Sequence, residues 1–165
     1  MSLPLSRDDC EDALEQFCAG HEASRQLFDA LCRVIDTIGP AELRVTKSQI
    51  AFRRRVAFAW AWLPAGYLRG QVAPLVLTLS FGYRDASLRW KEIVEPAPGR
   101  FMHHLELYAA TDIDGEVRDW CGTRGELRDK IDRITGPPIG LVGDRRRIRQ
   151  MFSLTVKTFR CKIAV

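Results

Sequence analysis

No stretch of this 165-residue chain approaches the eighteen or so consecutive apolar residues of a membrane span, and its opening, MSLPLSRDDCEDA, is acidic and lacks an apolar run. We therefore expect no transmembrane helix, no signal peptide, no membrane partner and a cytoplasmic location. The five cysteines (Cys10, Cys18, Cys32, Cys121, Cys161) are odd in number and include no C-x-x-C pair. That excludes a disulfide framework and suits a reducing compartment, where a thiol in a helical stretch packs as a small hydrophobe. Also missing are a P-loop, a Rossmann glycine run, a G-x-S-x-G elbow, zinc-finger spacing and a helix-turn-helix. No catalytic residue, metal ligand set or cofactor is assigned on these grounds, and no internal repeat is found.

Charge of one sign is scarce once the chain is divided. The net charge is +4, but residues 135–165 hold seven Lys/Arg against one Asp, while the rest holds eighteen Lys/Arg against twenty Asp/Glu. The basic character belongs to the tail, where the cluster Gly-Asp-Arg-Arg-Arg-Ile-Arg at 143–149 is of the kind that grips phosphate backbones. The division implied is an α+β domain over 1–134 and a basic Gly/Pro-linked tail over 135–165. A chain of this length buries about 70% of its unfolded surface, enough for one core without covalent staples.

What is present is strict alternation. In IAFRRRVAFAWAWL, from Ile50 to Leu63, the residues Ile50, Phe52, Val56, Phe58, Trp60 and Trp62 share one parity, which on a strand is one face. Arg53-Arg54-Arg55 interrupts the run. A three-residue loop there pairs Phe52 with Val56 and Ile50 with Phe58, keeping every large residue on one side with the arginines at an exposed tip. One continuous strand with Arg54 pointing away from the core is the other reading, because no Gly is present to take a left-handed loop position.

In chain order, Ser6 caps a short helix to about Phe17, Gly20 ends it, and a second helix runs from Glu22 to Ile38 with Leu27, Phe28, Leu31 and Ile35 on one stripe. Strands follow at Glu42 to Val45, in the hairpin, and at Leu75 to Phe81, Ser87 to Val94 and Phe101 to Tyr108, with spacers too short for crossover helices. Thr111 or Asp112 opens a third helix through Trp120. The expected fold is α+β: an antiparallel β-meander of about five to six strands, packed by two N-terminal helices and one helix after the strands, on the side bearing Phe52, Phe58 and Trp60.

The segments GPAELRVTKSQIAFRRRVAFAWAWLP (Gly39 to Pro64) and VEPAPGRFMHHLEL (Val94 to Leu107), followed by DIDGEVRDW, resemble an uncharacterised bacterial family. It is a domain of unknown function whose relatives occur alone or at the ends of proteins labelled predicted transporters. The similarity covers roughly Phe17 to Trp120 and implies a small α+β domain with no established activity. After Trp120 the chain departs from that pattern, as an accessory segment or a reading-frame change would make it do.

Beside the basic cluster at 143–149, three features carry candidate chemistry. His103 and His104 are neighbours on a strand and point to opposite faces, His103 toward the core with Leu105 and Leu107, His104 outward with Glu106. A His-x-Glu pair could hold a metal or act as coupled acid and base, although two ligands alone make no site. Arg53, Arg54, Arg55, Lys47 and Arg100 could form an anion-binding rim or simply a charged edge that resists aggregation. Trp60, Trp62 and Trp90, with Tyr83 and Tyr108, could line a pocket for a planar ligand, or be core. We expect a non-catalytic binding module that takes a small anionic or aromatic ligand, or a partner protein, through Arg53, Arg55, Trp90, Arg100, His104 and Glu106. The alternatives are weak, non-specific nucleic-acid binding through the tail and the arginine hairpin, and an enzyme using His104 and Glu106.

Overall fold

The computed structural model describes residues 7–123. The Ser6 cap, the boundary at 134, Cys161 and the basic tail lie outside the described residues. Helix α1 (Arg7–Phe17) ends before Gly20, whose φ of +75° is a conformation that costs other residues strain. Helix α2 (Glu22–Ile38) buries Leu27, Phe28, Leu31 and Ile35 and stops at Gly39. Arg25 on α2 pairs with Glu11 on α1 and with Asp29 one turn on.

Six strands follow: β1 (Glu42–Val45), β2 (Ile50–Arg53), β3 (Ala57–Trp62), β4 (Leu75–Phe81), β5 (Glu92–Ala97) and β6 (Arg100–Leu107). Every pairing is antiparallel, and the order across the sheet is β1-β2-β3-β4-β6-β5. The first four strands form the expected meander. The last two exchange places, because the expected strand at Ser87 to Val94 begins only at Glu92 and residues 82–91 run back over β6. β5 and β6 then close through Pro98-Gly99, with Gly99 at φ +71°. Pro96, which has no N–H to donate, sits on the edge strand where none is needed. Helix α3 (115–123) follows the strands, and Asp114 caps it, accepting from the N–H groups of Glu116 and Val117 at 3.1 and 3.2 Å. The expectation of Thr111 or Asp112 as the cap is corrected by a few residues: a 3-10 turn at Ala110–Asp112 comes first.

One face of the sheet is covered by the helices. Ile50, Phe52, Ala59, Ala61, Leu75, Leu77, Leu79, Leu105 and Leu107 form a single buried cluster with Phe28, Leu31 and Ile35. The crossover is fastened to that side by Trp90, which stacks on Trp120 at 4.1 Å, and by Arg89, which pairs with Asp114 and Glu116 and donates to the Asp112 carbonyl.

The hairpin forms, but its register differs from the parity argument by three residues. Ile50 faces Ala61 and Phe52 faces Ala59, and the ladder shifts between Phe52 and Arg53, which pairs with Ala57. Phe58 is the extra residue on β3. A bulge breaks the alternation of faces, so Phe58 joins Phe52 under the helices (ring centroids 6.4 Å apart) while Trp60 and Trp62 turn to the opposite face. Placing Trp60 with Phe52 and Phe58 is thereby corrected. Arg54 is not an exposed tip either: its guanidinium folds back over the Phe58 ring, 5.1 Å from the centroid.

The bulge has a stability signature. Phe58→Ala is expected to cost about 3–5 kcal/mol, since a fully buried ring leaves a cavity, and Trp60→Ala, at a half-buried position, about 1–2 kcal/mol. Denaturant melts measure both. Equal losses, or a larger one at Trp60, would put Trp60 under the helices and remove the bulge.

Candidate functional site on the outer face

An antiparallel sheet with helices on one face commonly shows its other face to water. Here the outer face is buried as well: Val76, Thr78, Ser80, Met102 and His104 are each at most 4% exposed. The connection after β3 covers one end of it, with Ala73 against Trp62 and Val76 and Tyr67 edge-on to the Trp62 ring at 6.4 Å. Register then aligns a polar row. Trp60 of β3 is opposite Thr78 of β4, Thr78 opposite His104 of β6, and His104 opposite Glu92 of β5.

Thr78 and His104 of that row, with Trp62 two residues along β3 from Trp60, form a chain of hydrogen bonds. The Trp62 indole N–H, which can only donate, donates to Thr78 Oγ1 at 3.1 Å, and Thr78 Oγ1 lies 2.8 Å from His104 Nδ1. A hydroxyl that accepts from the indole still has its own proton to give, and we assign that proton to the bond with Nδ1 and the imidazole proton to Nε2. His104 Nε2 is buried and has no hydrogen-bond partner among the described residues. Burial, with a smaller contribution from His103, pushes the His104 pKa down to about 4, so the ring is neutral at pH 7. In the assigned tautomer the arrangement offers a neutral N–H donor, unpartnered among the described residues, beside the Trp62 ring.

His103 contrasts with it. It lies on the helix side, where Nε2 accepts from the Asp85 N–H at 3.0 Å and Nδ1 donates to the Phe101 carbonyl at 3.2 Å. Nε2 fastens the crossover, and Nδ1 is bound within its own strand. Burial lowers its pKa too.

The structure gathers some of the sequence-derived site residues and separates others. His104 and Glu106 share the outer face, as their parity requires, but Glu106 is engaged by Lys91 at 3.4 Å and by the Tyr108 hydroxyl at 3.1 Å. Arg53 is on the outer face of β2, three strands from His104, or about 14 Å at the usual strand spacing. Arg55 is exposed in the hairpin loop and Arg100 at the β5–β6 turn. Trp90 is on the helix side, its indole N–H donating to Asp85 Oδ1 at 2.8 Å. No group of three or more His, Cys, Asp or Glu side chains able to hold a metal occurs among the described residues. Sequence reading missed Thr78, Trp62 and Glu92 as companions of His104. A signal for Thr78 was available: in LVLTLSF the hydroxyls of Thr78 and Ser80 occupy the parity opposite Leu75, Leu77 and Leu79.

Fold and site together define a small two-layer α+β domain with a buried polar row on the sheet face away from its helices. A family model described as Domain of unknown function (DUF5655) matches residues 14–122, and the chain belongs to that family. No curated protein and no solved structure matches it. No helix among the described residues is long and apolar enough to cross a membrane.

The depressed His104 pKa has a measurable consequence. The unfolded chain takes up a proton near pH 6.5 and the folded chain only near 4. The stability this gives is complete above about pH 6.5 and is lost as pH falls toward 4, a change of about 3 kcal/mol. His103 acts in the same direction. The expected outcome is a melting temperature that falls steadily from pH 7 to pH 4 in the native chain and less steeply in His104→Phe. Parallel profiles would show that His104 titrates normally.

Proposed function

We propose that this domain is a non-catalytic binding module whose ligand is a small planar molecule carrying a hydrogen-bond acceptor, held on the outer face of the sheet at His104. The observation that carries this reading is the buried His104 Nε2 without a partner at the end of the Trp62–Thr78 chain. A buried donor left unsatisfied costs about 1–3 kcal/mol. A ligand carbonyl or ring nitrogen removes that cost, and the neighbouring Trp62 ring, perpendicular to His104 at 6.4 Å, supplies an apolar wall for a planar body. Of the two ligand types suggested by the sequence, an aromatic one fits this face better than an anionic one. Glu92 and Glu106 stand on the same face, whereas of the expected rim Arg53 is three strands away and Arg55 and Arg100 lie at turns.

An enzyme using His104 and Glu106 draws less support, since the partner of His104 is Thr78 and Glu106 is bound to Lys91 and Tyr108. Nucleic-acid binding rests on a tail that lies outside the described residues. A cytoplasmic location is supported by the free thiols: Cys10, Cys18, Cys32 and Cys121 are unbridged, and burial holds Cys32 and Cys121 up at about 12, where they are inert.

Benzamide, a planar amide with one strong acceptor, is a direct probe. In a nitrogen-15 spectrum of the full chain, titration is expected to move the His104 Nε2 resonance and leave His103 unmoved, and His104→Phe is expected to lower benzamide affinity at least tenfold. Movement of His103 alone, or no movement of either ring, would remove His104 from the site.

A further inference from the structure

Arg54 carries a second buried group without a partner among the described residues. It lies at a junction of three elements: the β2–β3 turn that carries it, the end of α2, and α3. Its Nη2 stands 3.6 Å from where a side chain on Gly39 would begin, and it is close enough to Cys121 to act on that thiol electrostatically. The Phe58 ring supports the guanidinium from below. Two of its nitrogens, Nε and Nη2, are buried and have no hydrogen-bond partner among the described residues, and it forms no ion pair there.

The identity of those two atoms decides the chemistry. Nε–H and the adjacent Nη2–H form the edge of a guanidinium that points two parallel donors in one direction, the geometry that matches the two oxygens of a carboxylate. Lysine has no such edge. The charge at the junction also selects among anions. The carbonyl end of α2, terminating at Gly39, brings partial negative charge beside the guanidinium. A singly charged, delocalised anion suits that balance; a dianionic phosphate does not. The surround is apolar, with Phe58, Ile38 against Gly122, and the fully buried Cys121. The turn itself is closed by a bond from the Arg54 N–H to the Val56 carbonyl at 3.2 Å, and Arg55 beside it is exposed.

We infer that Arg54 is the receptor for a small monocarboxylate, gripped side-on by Nε and Nη2 between the β2–β3 turn and the end of α2. The site is separate from the His104 face, on the opposite side of the sheet.

The test uses the full-length protein at constant ionic strength, with benzoate, acetate, phosphate and chloride titrated in turn. Arginine Nε–H resonances and the melting temperature are the readouts. Benzoate and acetate are expected to shift one Nε–H resonance, assigned to Arg54 by its loss in Arg54→Lys, and to raise the melting temperature; phosphate and chloride are expected to do neither. Arg54→Lys keeps the charge and loses the two-donor edge, so it should lower carboxylate affinity at least tenfold. His104→Phe should leave it unchanged, which separates this site from the benzamide site. An unmoved Arg54 resonance at saturating benzoate, carboxylate binding undiminished in Arg54→Lys, or a phosphate response equal to that of benzoate would each overturn the inference.

Discussion

The insertion of one residue, Phe58, into β3 is the constraint on which both faces of this sheet depend. A strand assigns side chains to faces strictly by parity, and a bulge is the local means of changing that assignment partway along. Before the bulge the hairpin sends its large residues beneath the helices. After it, Ala59 and Ala61 take the helix side, where small side chains admit Phe28 and Phe52 closely, and Trp60 and Trp62 are delivered to the outer face. Without that exchange Trp62 could not reach Thr78, and the hydrogen-bond chain to His104 would lack its first donor.

The two histidines show the same sequence dipeptide serving unlike ends. His103 has both nitrogens committed, one to the crossover and one to its own strand, and so fixes the path of residues 82–91. His104, one residue on, has one nitrogen bound and one left buried without a partner. Structural histidines in packed interiors satisfy both nitrogens, because each unsatisfied polar group is costly. That asymmetry is why the functional reading is built on His104 alone.

Much of the architecture was legible because local patterns are strong. The span of α2 and the strands at Glu42–Val45 and Leu75–Phe81 were read as they stand, from helical spacing, Gly-Pro stops and apolar runs. The order of β5 and β6 was not, since a crossover of ten residues without a helix depends on side-chain anchors, Asp85 on His103 and Trp90 on Trp120, that no periodicity announces. The site was half legible. Parity placed His104 and Glu106 together, but Trp90 was read as a neighbour of His104 when the crossover carries it to the other side. Arg54 looked like the tip of a charged turn; only packing against Phe58 brings it inward.

The central claim is that the bulge sets up a directional chain from Trp62 through Thr78 to a neutral His104 whose proton is on Nε2. Nitrogen-15 and carbon-13 spectra of histidine-labelled protein at pH 6 read charge and tautomer directly. The expected spectrum is that of a neutral His104 ring protonated at Nε2, turning into a mixture of tautomers in Thr78→Val. An imidazolium at pH 6, or a neutral ring protonated at Nδ1, would contradict it.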